Sequence, residues 1–154
     1  MNTLRRLLTI AALALVSLPA AAQERGGKDE AKAMVDAAIA HIKQAGPEQA
    51  YKDFGDKANT TWHKKDLYVF VIRMDGTMLA HGANEKLVGK DQTNLKDPNG
   101  KVFVQEMFAA AKKPEGGWVE YDWTSPVTKK IEGKASFVRA APAINAFAGV
   151  GIYR

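Results

Sequence analysis

The stretch Tyr68 to His81 reads YVFVIRMDGTMLAH, and its reading decides the fold. Tyr68, Val69, Phe70, Val71 and Ile72 form a run rich in β-branched and aromatic side chains, which suit a strand. Asp75-Gly76 follows, and then a second short apolar run ends at His81. Two such runs around Asp-Gly predict a β-hairpin with Gly76 at positive φ, where a side chain would be strained.

Three further strands are predicted downstream, near Trp118 to Trp123, Gly133 to Ala141 and Ile144 to Tyr153, with the last turn built on Pro142. Upstream, Ala31, Met34, Val35, Ala38, Ile39 and Ile42 make a helical stripe over Glu30 to Gln44, and Gly46 stops it. Pro47 suits the first turn of a second helix, with Ala50, Tyr51 and Phe54 on its apolar side and Gly55 at its end. Lys101 to Lys112 predicts a third helix with Val102, Phe103, Met107 and Phe108 inward. Between hairpin and third helix, Gly82 to Gly100 lacks periodicity; a loop of that length usually carries function or short irregular structure. Gln23 to Asp29 reads as a loose polar lead-in. Helices, hairpin, covering segment and three sequential strands predict an α+β domain. One sheet face lies on the long first helix and the other under the segment Gly82 to Lys112, with a pocket beneath that cover.

The first residues read differently. Arg5 and Arg6, an apolar run from Leu7 to Leu18, and Ala20-Ala21-Ala22 have the order of a secretory signal peptide cut near Ala22. The expected organisation is residues 1–22 as signal peptide and 23–154 as one exported, periplasmic or secreted domain. The chain has no cysteine, so stability must come from burial without disulfides. Its net charge is +5, and Arg5 and Arg6 supply part of it. The remaining Lys and Arg are interleaved with Asp and Glu, with no basic stripe for nucleic acid.

Taken together, the ordered segments resemble the single Cache domain (Cache type 2) of bacterial extracytoplasmic sensors, over roughly the last two-thirds of the chain. The resemblance rests on Tyr68 to Phe70, Asp75-Gly76-Thr77, Leu79-Ala80-His81, Gly89-Lys90-Asp91, Asp97 to Lys101, Gly116 to Trp123, Lys134, and Gly149 to Tyr153. Phe137 stands where the family often has Tyr. The resemblance implies a PAS-like five-stranded antiparallel sheet with a long N-terminal helix. It also implies a small-molecule ligand, typically a short carboxylate, and a membrane histidine kinase or chemoreceptor as signalling partner.

The candidate site residues are Tyr68, Phe70, His81, Trp118, Tyr121, Trp123 and Lys134. Strand alternation puts Tyr121 and Trp123 on one face and Trp118 on the other, unless Gly116-Gly117 breaks the parity. Large amphipathic rings fit both a core and a ligand cage. Lys134 opens an otherwise small and apolar strand. It is either a solvated strand start or an ammonium for a ligand carboxylate, with Arg73 and Arg139 as competing cations. His81 is either held by backbone or a donor to a ligand oxygen. Asp97 is a turn residue, or a cap for the helix after Lys101.

Catalytic patterns are missing. The chain carries no Gly-x-Ser-x-Gly elbow, no thiol and no His-Glu-x-x-His. Glu120 and Asp122 form an i, i+2 acid pair that an exposed strand face explains. No cofactor and no enzymatic activity are expected. An interaction module without a small ligand and a secreted enzyme are the alternative classes, and a binding screen separates the interaction module from a sensor.

Overall fold

The computed structural model describes residues 24–154; the signal-peptide expectation lies outside the described residues. Helix α1, Lys28–Ala45, buries Ala31, Met34, Val35, Ala38 and Ile42 along one stripe. Gly46, at φ 84°, turns the chain into α2, Pro47–Gly55, which buries Ala50 and Phe54. Pro47 opens that helix because a first-turn N–H has no intrahelical partner to lose.

The strands are β1 (His63–Lys64), β2 (Leu67–Arg73), β3 (Met78–His81), β4 (Gly117–Thr124), β5 (Ile131–Ala141) and β6 (Ala146–Tyr153). Helix α3, Phe103–Ala111, lies between β3 and β4. All strand pairs are antiparallel, in the order β2-β6-β5-β4, with β1 and β3 on successive parts of the outer edge of β2. The expected five strands are present, and the two-residue β1 is an addition. It forms in the polar connector before β2, where Lys65, at φ 60°, makes the tight reversal.

The sheet divides two cores. On one side α1 and α2 cover Leu67, Val69, Val71, Ala135, Phe137, Val150 and Ile152. On the other, α3 and the preceding segment cover Phe70, Ile72, Val119, Tyr121, Val138 and Phe147. Each list takes alternate residues of the same strands, as the pleat requires.

Gly76 sits at φ 98° in the β2–β3 hairpin, with its N–H donating to Arg73 O at 2.8 Å. It also lies beneath the covering segment. An added Cβ would stand 2.0 Å from Thr93 Oγ1 and 2.6 Å from Asp91 Oδ1. Gly76→Val is therefore expected to destabilise by about 3 kcal/mol, combining left-handed strain with overpacking. Thermal unfolding checks it, and an unchanged Tm would contradict the turn.

Three expectations need correction. Helix α3 begins at Phe103 and buries Phe103, Val104, Met107, Ala110 and Ala111. That set follows the 3.6-residue period better than the expected Val102 and Phe108, which are only half-buried. Asp97 is the turn residue of its two readings, with its carbonyl accepting from Gly100 N at 2.9 Å, and caps no helix. Its Oδ1 accepts from the backbone of Asn99 and Lys101, and its Oδ2 accepts from Asp122 N at 3.1 Å. It thereby pins the cover to β4. The lead-in is not loose either: Gly26 N donates to buried Asp66 at 2.7 Å, and Arg25 pairs with Glu132 at 2.9 Å.

Candidate functional site

The second face of the sheet carries the site. Tyr121 and Lys134 are directly paired across β4 and β5, and Lys134 and Tyr153 across β5 and β6. Paired residues share a face, so the three converge beside Tyr68 and Phe70 of β2. Lys134 is only 1% exposed. Its stem lies flat over Gly151, where a Cβ would meet Lys134 Cε at 2.1 Å. A glycine at that position lets the side chain cross β6 and reach Tyr68.

The Lys134 ammonium donates to Tyr68 Oη at 2.7 Å. The rings of Tyr68, Tyr153, Phe70 and Tyr121 surround it at 4.4–5.7 Å from nitrogen to centroid. Such rings attract a cation. They do not replace its hydration, so burial lowers the Lys134 pKa to about 7, a shift that the negative charge of Asp66 partly opposes. No carboxylate is within hydrogen-bonding distance of the ammonium among the described residues.

The hydroxyls form a directed chain. Tyr153 donates to Thr124 O at 2.8 Å, so its oxygen is free to accept from Tyr68, 3.2 Å away. Lys134, Tyr68, Tyr153 and Thr124 O are thus linked in one direction. Burial raises the pKa of Tyr68, Tyr121 and Tyr153, so all three stay protonated. Tyr121 Oη lies 2.9 Å from Ser136 Oγ.

His81 is held by backbone, the first of its two readings. Its Nδ1 accepts from Asn84 N at 2.9 Å and Ala83 N at 3.2 Å. The proton of the neutral ring is therefore on Nε2, available to a ligand acceptor. Burial, helped by the charge of Lys134, lowers its pKa to about 3.

The cover completes the enclosure. Phe103 of α3 stacks on Tyr121 at 4.0 Å and meets Trp123 edge-on at 5.5 Å. Leu87, Gln92, Leu95 and Met107 add lining from above, facing Phe70, His81 and Lys134. The enclosed volume is about 20 Å³, room for about one water molecule. A larger guest enters only if the lining shifts. Beyond His81 and Trp123, which line both spaces, lies an outer cavity of about 250 Å³ bounded by Asn84, Ser125 and Lys129.

Tyr68, Phe70, His81, Tyr121, Trp123 and Lys134 are thus brought together. Trp118 is not. It packs against the α1 core, 5.5 Å from Phe137, with Lys28 over its ring. Gly117 keeps the strand register, so alternation holds and Trp118 faces away from the pocket. Phe137 shares that side, so its missing hydroxyl is not a pocket group. Arg73 is engaged by Asp75, and Arg139 by Asp36 and Glu115 O. Glu120 pairs with exposed Arg154, and Asp122 bonds Asn99. Sequence reasoning missed Tyr153 and Ser136. Their signal was parity: Ser136 is two residues from Lys134, and Tyr153 two from Gly151.

The sequence model described as Single Cache domain 2 matches residues 4–154. The chain belongs to the single Cache domain 2 family. Cache domains are extracytoplasmic sensory modules. The sensor histidine kinase MctS of Rhizobium johnstonii is 35% identical over 89 residues, 58% of this chain and 19% of that protein. The methyl-accepting chemotaxis protein McpP of Pseudomonas putida is 30% identical over 88 residues, 57% of this chain and 16% of that protein. The chain therefore matches one small part of each relative. Among solved structures, a methyl-accepting chemotaxis protein from Vibrio parahaemolyticus superposes with a TM-score of 0.71. It is 22% identical, over 82% of this chain and 87% of that one. A Cache chemosensory domain described in terms of carboxylic acid recognition gives 0.61 at 27% identity, over 79% and 80%. These likenesses bear out the Cache fold, its sensor class and the kinship with kinases and chemoreceptors.

Proposed function

We propose that this exported Cache domain binds a short monocarboxylic acid at Lys134 and reports its occupancy to a membrane histidine kinase or chemoreceptor. The observation that carries the reading is the ammonium itself. It is fully buried in an apolar pocket, it has one hydrogen-bond partner, and it has spare donors toward the enclosed space. A carboxylate there would remove the uncompensated charge. Its second oxygen would meet His81 Nε2–H, and its alkyl end would face Phe70, Leu95 and Met107. A charge-assisted bond in such a site contributes about 1.5–3 kcal/mol. The carboxylic acid recognition named for the 27%-identical neighbour supports the same class.

Calorimetric titration with acetate, propionate, lactate and pyruvate tests it. Carboxylate binding selects the protonated amine, so the affinity is expected to fall about tenfold per pH unit above 7 and to level off below it. Proton uptake should accompany binding near pH 7. The small enclosed volume favours a second reading, in which the aromatics only fill a core and the domain docks on a protein. That reading takes over if none of the four acids binds.

A further inference from the structure

Gln92 is a buried amide, 3% exposed, that lines the enclosed space from the cover. Three hydrogen bonds fix it. Its N donates to Gly76 O at 2.8 Å, its O accepts from Leu95 N at 3.0 Å, and its Nε2 donates to Lys90 O at 3.2 Å. The last of these sets the orientation of the amide. A carbonyl only accepts, so the nitrogen must be the atom at Lys90 and Oε1 the other. No donor reaches Oε1 among the described residues. A buried acceptor without a donor is unfavourable, and in a binding pocket the guest can supply the missing proton.

The amide and the ammonium mark two ends of the pocket. Met78 N donates to the same Lys90 O at 3.0 Å, and Met78 pairs with Ile72. His81, the second partner proposed for the carboxylate, pairs with Phe70. Two strand residues separate these levels, a span of about 7 Å.

We propose that Gln92 selects short 3-hydroxy acids over plain acids of the same length, its Oε1 accepting from their hydroxyl. The proposal rests on a carboxylate held by Lys134. With that carboxylate between Lys134 and His81, a hydrogen bond to Oε1 takes up about 2.8 Å of the span, and the carbon chain must cover the rest. A hydroxyl on the carbon next to the carboxylate stops short of the amide; one on the following carbon reaches it. A hydroxyl also suits the amide better than a keto oxygen, because only the hydroxyl has a proton to give. The half-buried Leu87 and Leu95 and the unbranched Met107 are lining side chains that turn aside to admit four carbons. Gln92, tied by its three bonds, keeps its place as they do.

The test is calorimetric titration of the full protein with butyrate, acetoacetate and each enantiomer of 3-hydroxybutyrate, which differ only at the third carbon. The tighter enantiomer is expected to bind about ten- to a hundredfold more strongly than butyrate and acetoacetate, which cover Oε1 without giving it a proton. Gln92→Met keeps the length of the side chain and removes both polar atoms, so the preference should vanish in it. Thermal unfolding shows whether that variant is folded, and the wild-type titrations decide the matter if it is not. Equal wild-type affinity for butyrate and 3-hydroxybutyrate overturns the proposal and leaves the carboxylate reading standing. Acetoacetate binding as tightly as 3-hydroxybutyrate overturns it too, since no proton is then being read. A preference that persists in folded Gln92→Met takes the selection away from this residue. If acetate binds and no four-carbon acid does, the proposal fails alone; if acetate fails as well, the carboxylate reading fails with it.

Discussion

Lys134→Met is expected to abolish acetate binding and, at pH 7, to stabilise the protein by about 3 kcal/mol. The two effects have one cause. Folding removes Lys134 from water without a counter-ion, which is why its pKa falls from 10.5 to about 7. Methionine fills nearly the same space with no charge to desolvate and leaves Tyr68 its bond to Tyr153. The pH dependence carries the proof. Between pH 7 and 10.5 the unfolded chain holds a proton on this lysine that the folded chain has lost, so wild-type stability rises with pH there. Below pH 7 both states are protonated and the penalty is full. Urea unfolding from pH 7 to about 9.5 should show the wild type gaining about 3 kcal/mol on the variant. The buried tyrosines ionise in the unfolded chain above about pH 10 and pull the other way, but they are common to both proteins. Parallel curves would mean that Lys134 is solvated. Methionine is the right replacement because the stem is buried. Alanine would leave a cavity and confuse lost binding with lost packing.

Gly151→Ala should reduce acetate affinity by about a hundredfold, while destabilising by only about 1–3 kcal/mol. The new methyl would occupy the place of Lys134 Cε, 2.1 Å away, and press on Ser136 Oγ at 2.6 Å. The stem must lift off β6, and the ammonium then leaves Tyr68. Gly149→Ala is the comparison. There the collision is with three atoms of the Phe70 ring at 2.2–2.9 Å, and a rigid ring in a packed core cannot retreat. That variant should lose more stability than Gly151→Ala, and because Phe70 also lines the pocket its loss of binding should accompany that loss of stability. Equal affinity of Gly151→Ala and wild type for acetate would mean that the path of the lysine over β6 does not matter to the site.

The hairpin, the α1 stripe and the face shared by Tyr121 and Trp123 were legible in the sequence because each depends on local periodicity or turn chemistry. Trp118 was separable by the same rule, yet crowding in sequence kept it among the candidates. Tyr153 was harder. Its partnership with Tyr68 spans most of the domain and depends on the register of β2 against β6, which no local pattern states. Asp97 looked like a cap because its neighbours make a turn. Its actual partner, Asp122, lies on another element. The size of the pocket was beyond reach altogether, since it is set by how the rings of Phe103, Tyr121 and Trp123 interlock.

The position of β6 has a consequence for how the molecule comes into being. All eight of its residues are buried, and it is hydrogen-bonded to β2 on one side and β5 on the other. During synthesis β2 emerges long before β6, so its apolar residues wait for the central partner that satisfies them. The two halves of the sheet cannot join until β6 arrives, and the pocket, which draws Tyr153 from that strand, is the last thing to exist. Such non-local pairing makes folding slow and late. The two halves of this sheet are therefore joined by the strand that comes after all the others, so the domain closes from its centre and not from its edges.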